Sequence, residues 1–258
     1  SLIEKIYESL ASANNYDEFN VMKYLIALNI VNGNIKAISI PSLSTDDNVK
    51  SVVTQIKATS NKMKFMTGNY NISGVKTHSK HEEQTVIVTA DFDAAMDVNV
   101  LAAAFNMEKA EFLSKRLLVD SFGDIDINRL AQCAPETCDN ITYDANGNVI
   151  SATLKDITTA QLEELKEIPA VIIDDDFLQI YDRLITMEDI RNPDGLYTNA
   201  FLHCWKIVSV SPFAPAATFS DSASAVNSVT ISPAAVTAIP NSEIQFNAKV
   251  SGTGFFNK

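Results

Sequence analysis

Glycine is scarce in this chain. Its 8 glycines among 258 residues form no GxSxG elbow, GxGxxG turn or GxxxxGK loop. A strained nucleophile turn, a dinucleotide site and a phosphate cradle each need such a pattern, so the sequence carries no positive signal for an enzyme. Cysteine is equally sparse, and three residues cannot build a disulfide framework. Basic charge is short as well: 20 Lys and Arg against 32 Asp and Glu give a formal net charge of −12. Its only basic clusters are small, "KATSNKMK" at 57–64 and "KTHSKH" at 76–81. So acidic a body repels phosphate backbones, which disfavours sequence-specific nucleic-acid binding. No apolar run reaches the ~18 residues of a membrane span. The start shows no charged-then-apolar signal segment. The first residue is Ser1 rather than Met, which suggests trimming or processing.

The rest is ordinary globular composition, 46% apolar and 20% charged, enough for one large domain or two smaller ones around a real core. "SLIEKIYESL" places Leu2, Ile3, Ile6 and Leu10 on one helical face. "NNYDEF" then reads as a break and a restart, with Asn15 as N-cap and Glu18 in the capping-box position. The predicted second helix runs over Asp17–Val31 and ends at Gly33 in a left-handed turn. "IKAISIPSL" is a short strand with Ile38 and Ile40 on one face. "STDDNVKSVVTQI" is a helix capped by Ser44 or Thr45, turning Val49, Val52, Val53 and Ile56 inward.

"TGNYNISG" is turn chemistry, "TVIVTADF" a buried strand, "VNVLAAAFN" a short helix and "RLLVDSF" another strand. From Gly123 to Ile168 the character changes. "ITYDANGNVISATL" reads as a hairpin with Asn146-Gly147 near its tip, and "TTAQLEELKEI" as a self-capped helix, together an excursion from the main body. "AVIID" returns to a core strand. "DDFLQIYDRLITM" is predicted as a helix with Phe177, Tyr181, Leu184 and Ile185 inward, and "NPDG" turns the chain. "SDSASAVNS" is a linker, followed by two strands of an all-β module too short to stand alone.

Three clusters invite a chemical reading. His78 and His81 with Glu82 and Glu83 suggest a metal site, but an i, i+3 pair before an extended run suits neither helical nor strand convergence, and an exposed loop is the better reading. Cys133 and Cys138 stand five apart without a second ligand pair; Pro135 leaves a local disulfide open, while a reducing cytosol favours free thiols. Asp174, Asp175 and Asp176 have the hardness a divalent ion wants, yet acidic residues at a predicted helix start are more simply dipole complements. We therefore assign no catalytic, cofactor or metal residues.

"GLYTNAFLHCWKIVSVSPFA" (195–214) concentrates aromatics around the only tryptophan. Read as a strand, both its faces are mostly apolar, which predicts burial on both sides, with Phe201 and Trp205 in the core and His203 hydrogen-bonded internally.

Taken in order, "ESLASANNYDEF", "MTGNYNISGV", "MDVNVLAAAFNM", "RLLVDSF", "AVIIDDDFLQIYD" and "GLYTNAFLHCWKIVSVSPFAPAATF" resemble the major capsid proteins of small short-tailed bacteriophages of the picovirus type. The resemblance covers roughly residues 1–220 and is strongest at 192–219. It implies an α+β protein of the Hong Kong 97-type phage capsid fold. Residues 1–43 and 200–222 would form the peripheral domain, with Asp17–Val31 as spine helix, and 44–199 the axial domain. Residues 223–258 would be a linker and the start of a bacterial immunoglobulin-like group 2 module. Family members carry an N-terminal arm and an extended loop ahead of this start, so the resemblance implies a trimmed chain.

The function so implied is structural. The subunit would self-assemble into hexameric and pentameric capsomers of an icosahedral head around double-stranded DNA, without cofactors. It would be made in the host bacterial cytoplasm and end in the virion. Its partners would be itself, a scaffolding protein and a portal, with no membrane. The rival expectation is a cell-surface or extracellular binding protein, since immunoglobulin-like modules also occur in adhesins.

Overall fold

The computed structural model describes residues 2–97, 115–195, 197–221, 225–232 and 247–253. It opens with one helix, α1 (Leu2–Val31), not two. The expected break at Asn14-Asn15 does not occur, and Asn15 caps nothing. Asparagine in a helix interior costs only about 0.7 kcal/mol or less relative to alanine, and no Pro or Gly interrupts the run. The C-terminal stop is as expected: Gly33 has φ +67°, and Asn34 N–H donates to the Asn29 carbonyl at 2.9 Å.

The chain continues through β1 (Lys36–Ser39) and α2 (Asp46–Met63). The hydroxyl of Thr45 caps α2 by accepting from Asn48 N–H, and Val49, Val52, Val53 and Ile56 are buried as their spacing predicted. Next come β2 (Gln84–Thr89) and α3 (Ala90–Met96), so "TVIVTADF" is strand only as far as Thr89. The helix predicted over "VNVLAAAFN" lies outside the described residues. After β3 (Lys115–Val119) come α4 (Ile127–Cys133), the hairpin β4 (Cys138–Tyr143) and β5 (Val149–Leu154), and α5 (Thr159–Lys166). Gly147 at the hairpin tip has φ +85°. Thr158 and Gln161 cap α5 reciprocally.

Strand β6 (Ala170–Asp174) leads directly into a second, much longer hairpin, β7 (Leu178–Asn192) with β8 (Tyr197–Val210). The helix predicted over "DDFLQIYDRLITM" is thus a strand. Its apparent helical spacing has a structural cause: a bulge at Arg183 shifts the register, so Tyr181 and Leu184, three apart, fall on one face. The chain closes with β9 (Ala216–Ser220) and the antiparallel pair β10 (Ala225–Ser232) and β11 (Asn247–Thr253). β10 begins within the stretch expected to be linker.

Five strands form one mixed sheet in the order β1-β9-β6-β2-β3, parallel at β1–β9 and β2–β3 and antiparallel between. The pleat divides β2, β6 and β9 between two cores. Val171 and Ile173 of β6 join Ile87 and Ala216 on the side of α1, α4 and α5, whereas Ala170 and Ile172 join Val86, Val88 and Phe219 on the side of α2 and α3. A sheet covered on both faces requires strands apolar throughout, which is why "AVIID" shows no alternation. The segment from Gly123 to Ile168 is no excursion. Leu130, Leu154, Leu165 and Ile168 are buried in the same core as Ala27 and Ile30 of α1.

Candidate functional site

None of the three chemical clusters assembles. His78 is exposed, while His81 lies in a single 3-10 turn (His81–Glu83) with Nδ1 3.5 Å from Ser60 Oγ. Glu83 instead binds Lys80 Nζ at 3.0 Å. Cys133 and Cys138 are free thiols, the first exposed on α4 and the second buried at the start of β4. Asp174–Asp176 lie in a tight turn between strands rather than at a helix start, which corrects the reason given for their charge. Asp174 Oδ1 accepts from Asp176 N–H at 2.9 Å, and Asp175 accepts from Thr85 Oγ1 at 2.8 Å and pairs with Lys115. Among the described residues no three His, Cys, Asp or Glu are arranged to hold a metal ion.

A surface cavity of about 260 Å³ lies beside α1, lined by Tyr16, Phe19, Asn20, Lys23 and three aspartates, Asp120, Asp124 and Asp126. Its cation is already committed. Lys23 Nζ is 2.6 Å from Asp120 Oδ1 and 2.5 Å from the Asp124 carbonyl. The cavity is a structural junction between α1 and the loop after β3.

The feature that stands out is the long hairpin. About 15 residues at 3.3 Å each make it roughly 50 Å long, and it joins no other strand among the described residues. Its inner face lies along α1. Lys206 Nζ reaches Glu18 Oε2 at 2.5 Å and Asp182 Oδ1 at 3.0 Å, and Tyr7 Oη donates to Asp189 Oδ2 at 2.5 Å. Hydrogen bonding to Glu18, with Asp182 behind it, raises the Lys206 pKa and keeps it charged. Lower on the helix, Arg129 of α4 grips Asp17 with two nitrogens at 2.5 and 2.7 Å.

The outer face is open. From Asn199 to Val208 the odd positions are exposed and the even ones half-buried. Trp205 is 63% exposed and Phe201 42%, so the expected two-sided burial of this strand is overturned. His203 also faces outward, its Nε2 4.0 Å from Glu188 rather than bonded inside a core. Register places Tyr181, Leu184 and Ile190 of β7 on the same outer face. Two apolar faces were legible in the sequence; among the described residues the inner positions of β8 are half-covered, whereas the outer face and, across from Cys204 and Leu202, Ile185 and Met187 of β7 are exposed. The signal that β7 is a strand was there to be found: "NPDG" is flanked by two apolar stretches of nearly equal length, the pattern of a hairpin.

What this arrangement offers is exposed apolar surface on the long hairpin. The fold is similar to a solved one: the chain superposes on a chain in the capsid structure of Staphylococcus phage Andhra with a TM-score of 0.55 at 14% identity, over 86% of this chain and 66% of that one. The sequence comparison is more specific, for the Phi29-like phage major capsid protein family matches residues 1–220, and the chain belongs to that family. The major capsid protein of Bacillus phage B103 is 30% identical over 98% of this chain and 48% of its own length. That of Bacillus phage GA-1 is 31% identical over 86% of this chain and 39% of its own length. The chain thus spans about half, or less, of the length of these relatives.

Proposed function

We propose that this chain is the shell-building part of a major capsid protein, a structural virion component that works by self-association rather than catalysis. The observation that carries the reading is the family match over residues 1–220, and the capsid-like fold supports it. The family is not a class of enzymes. Net charge suits the role, because an acidic subunit does not adhere irreversibly to the DNA packaged within.

On this reading the fold is of the Hong Kong 97 type, and α1, longer than the expected Asp17–Val31, is the spine helix. Residues 1–43 and 200–222 form the peripheral domain and 44–199 the axial one; the pairing of β7 with β8 favours counting 178–199 with the peripheral part. The pair β10–β11 is the start of an immunoglobulin-like module, a reading its antiparallel pairing supports. Subunits assemble into hexameric and pentameric capsomers of an icosahedral head around double-stranded DNA, with a scaffolding protein and a portal as partners. Subunits are made in the bacterial cytoplasm.

Full-length protein expressed alone and with its scaffold, imaged by electron microscopy, tests this. Rings or closed shells are expected. Protein that stays monomeric at every salt and scaffold concentration would overturn the proposal.

A further inference from the structure

We infer that the outer face of the β7–β8 hairpin docks onto a second copy of this chain, an inference that rests on the capsid reading above. Tyr181, Leu184, Ile190, Phe201, Trp205 and Ile207 all lie on this face, and each is at least 42% exposed. The inner face of the same ribbon is held to α1 by Lys206–Glu18 and Tyr7–Asp189, so the hairpin cannot turn over to hide its aromatics. Between Tyr181 and Asn192 the face as a whole measures roughly 36 by 10 Å, about 400 Å², with Thr186, Glu188, Asn199 and His203 interspersed among the apolar side chains. The largest exposed apolar patch of a typical monomer is of that order and is often functional.

Charge selects the occupant. Copies of a chain carrying −12 repel one another except where both surfaces are nearly neutral. On the outer face the paired strand positions contribute only Glu188 and, across the ribbon at 4.0 Å, His203. A nucleic acid would need a row of basic groups, and an anionic membrane is repelled by the acidic body. A second copy meets neither obstacle. Area also fits: about 400 Å² is roughly half of the ~800 Å² per partner in a stable pairwise complex. Contact through this face alone is therefore weak, and it holds only when each copy is gripped by more than one neighbour. Reversible shell assembly requires contacts of that kind.

Trp205 is the only tryptophan in the chain and lies on this face, paired with Leu184, so it reports directly on the contact. Full-length protein, with any tryptophan outside this chain replaced by phenylalanine, is followed by fluorescence and sedimentation across a concentration series. In dilute protein Trp205 should emit as a solvated indole and be quenched freely by acrylamide. On assembly its emission should move to shorter wavelength and quenching fall several-fold. The double variant F201E/I207E, with unchanged far-ultraviolet circular dichroism, should need at least about tenfold more protein to associate. Shells in which Trp205 stays freely quenched, or assembly of F201E/I207E at the parental concentration, would overturn the inference and leave the capsid reading standing. Burial of Trp205 that is independent of concentration would overturn it too, in favour of a segment of the same chain. Absence of any association by the parent protein would remove both.

Discussion

Lys206 Nζ lies 2.5 Å from Glu18 Oε2, across 188 residues of sequence. The contact ties the first helix to the last long strand, and it fixes which face of the hairpin looks inward. With Asp182 at 3.0 Å on its other side, the lysine separates two carboxylates that would otherwise face each other.

Replacing Lys206 with methionine keeps the stem and removes the charge. Half-buried Glu18 is then left facing the exposed Asp182 with no cation between them. We expect K206M to lose about 1–3 kcal/mol of stability, measured by urea unfolding. A change below the error of that measurement would show that the pair is incidental.

Asn15 distinguishes one helix from two. Were it an N-cap, N15A would destabilise the protein by about 1 kcal/mol. In the continuous α1 the same change replaces a poor helix former with the best one, so it should stabilise by a few tenths of a kcal/mol. The sign of the shift in thermal midpoint decides the matter.

Asp174 gives a pH dependence whose sign can be stated. Burial pushes its carboxyl above the ordinary 3.8, and the nearby Asp176 and Glu83 add to this. The folded state therefore holds a proton more tightly than the unfolded one. Stability from this group is fully present below pH 3.8 and falls as pH rises from there through the higher folded value. D174N should flatten that part of the profile of thermal midpoint against pH while keeping an acceptor for Asp176 N–H. An unchanged profile would exclude Asp174 as its source.

Gly123 lies where the loop after β3 meets α5. A Cβ built there would collide with the backbone carbonyl of Leu162, which cannot step aside as a side chain could. G123A should cost about 1–3 kcal/mol. A thermal midpoint within a degree or so of the parent would show that the loop can shift.

Much of the frame was legible in the residues, for local reasons. Thr45 and the valine stripe define α2, Thr158 with Gln161 define α5, Asn146-Gly147 turns the small hairpin, and Gly33 ends α1. Each signal acts within about four residues. Where two local rules conflicted, reading by pattern failed. Asn14-Asn15 looked like a boundary but costs little inside a helix held by Asp17–Arg129 and Glu18–Lys206. Tyr181 and Leu184 looked helical because one bulge imitates helical spacing.

The sequence by itself determined the acidity, the absence of catalytic and membrane motifs, the alternating strands and the order of segments that marks the family. Tertiary structure alone decided which apolar faces have partners. Trp205 and Ile172 both sit in apolar strands, yet Ile172 is enclosed between helices and a five-stranded sheet while Trp205 faces solvent. Hydrophobicity records that a side chain avoids water, but not what shields it. In the five-stranded sheet the same chain supplies the cover. On the long hairpin the helix half-covers the inner positions of β8 and leaves the outer face, with Ile185 and Met187 on the inner side of β7, exposed, because one helix lying along a two-stranded ribbon shields only part of one side.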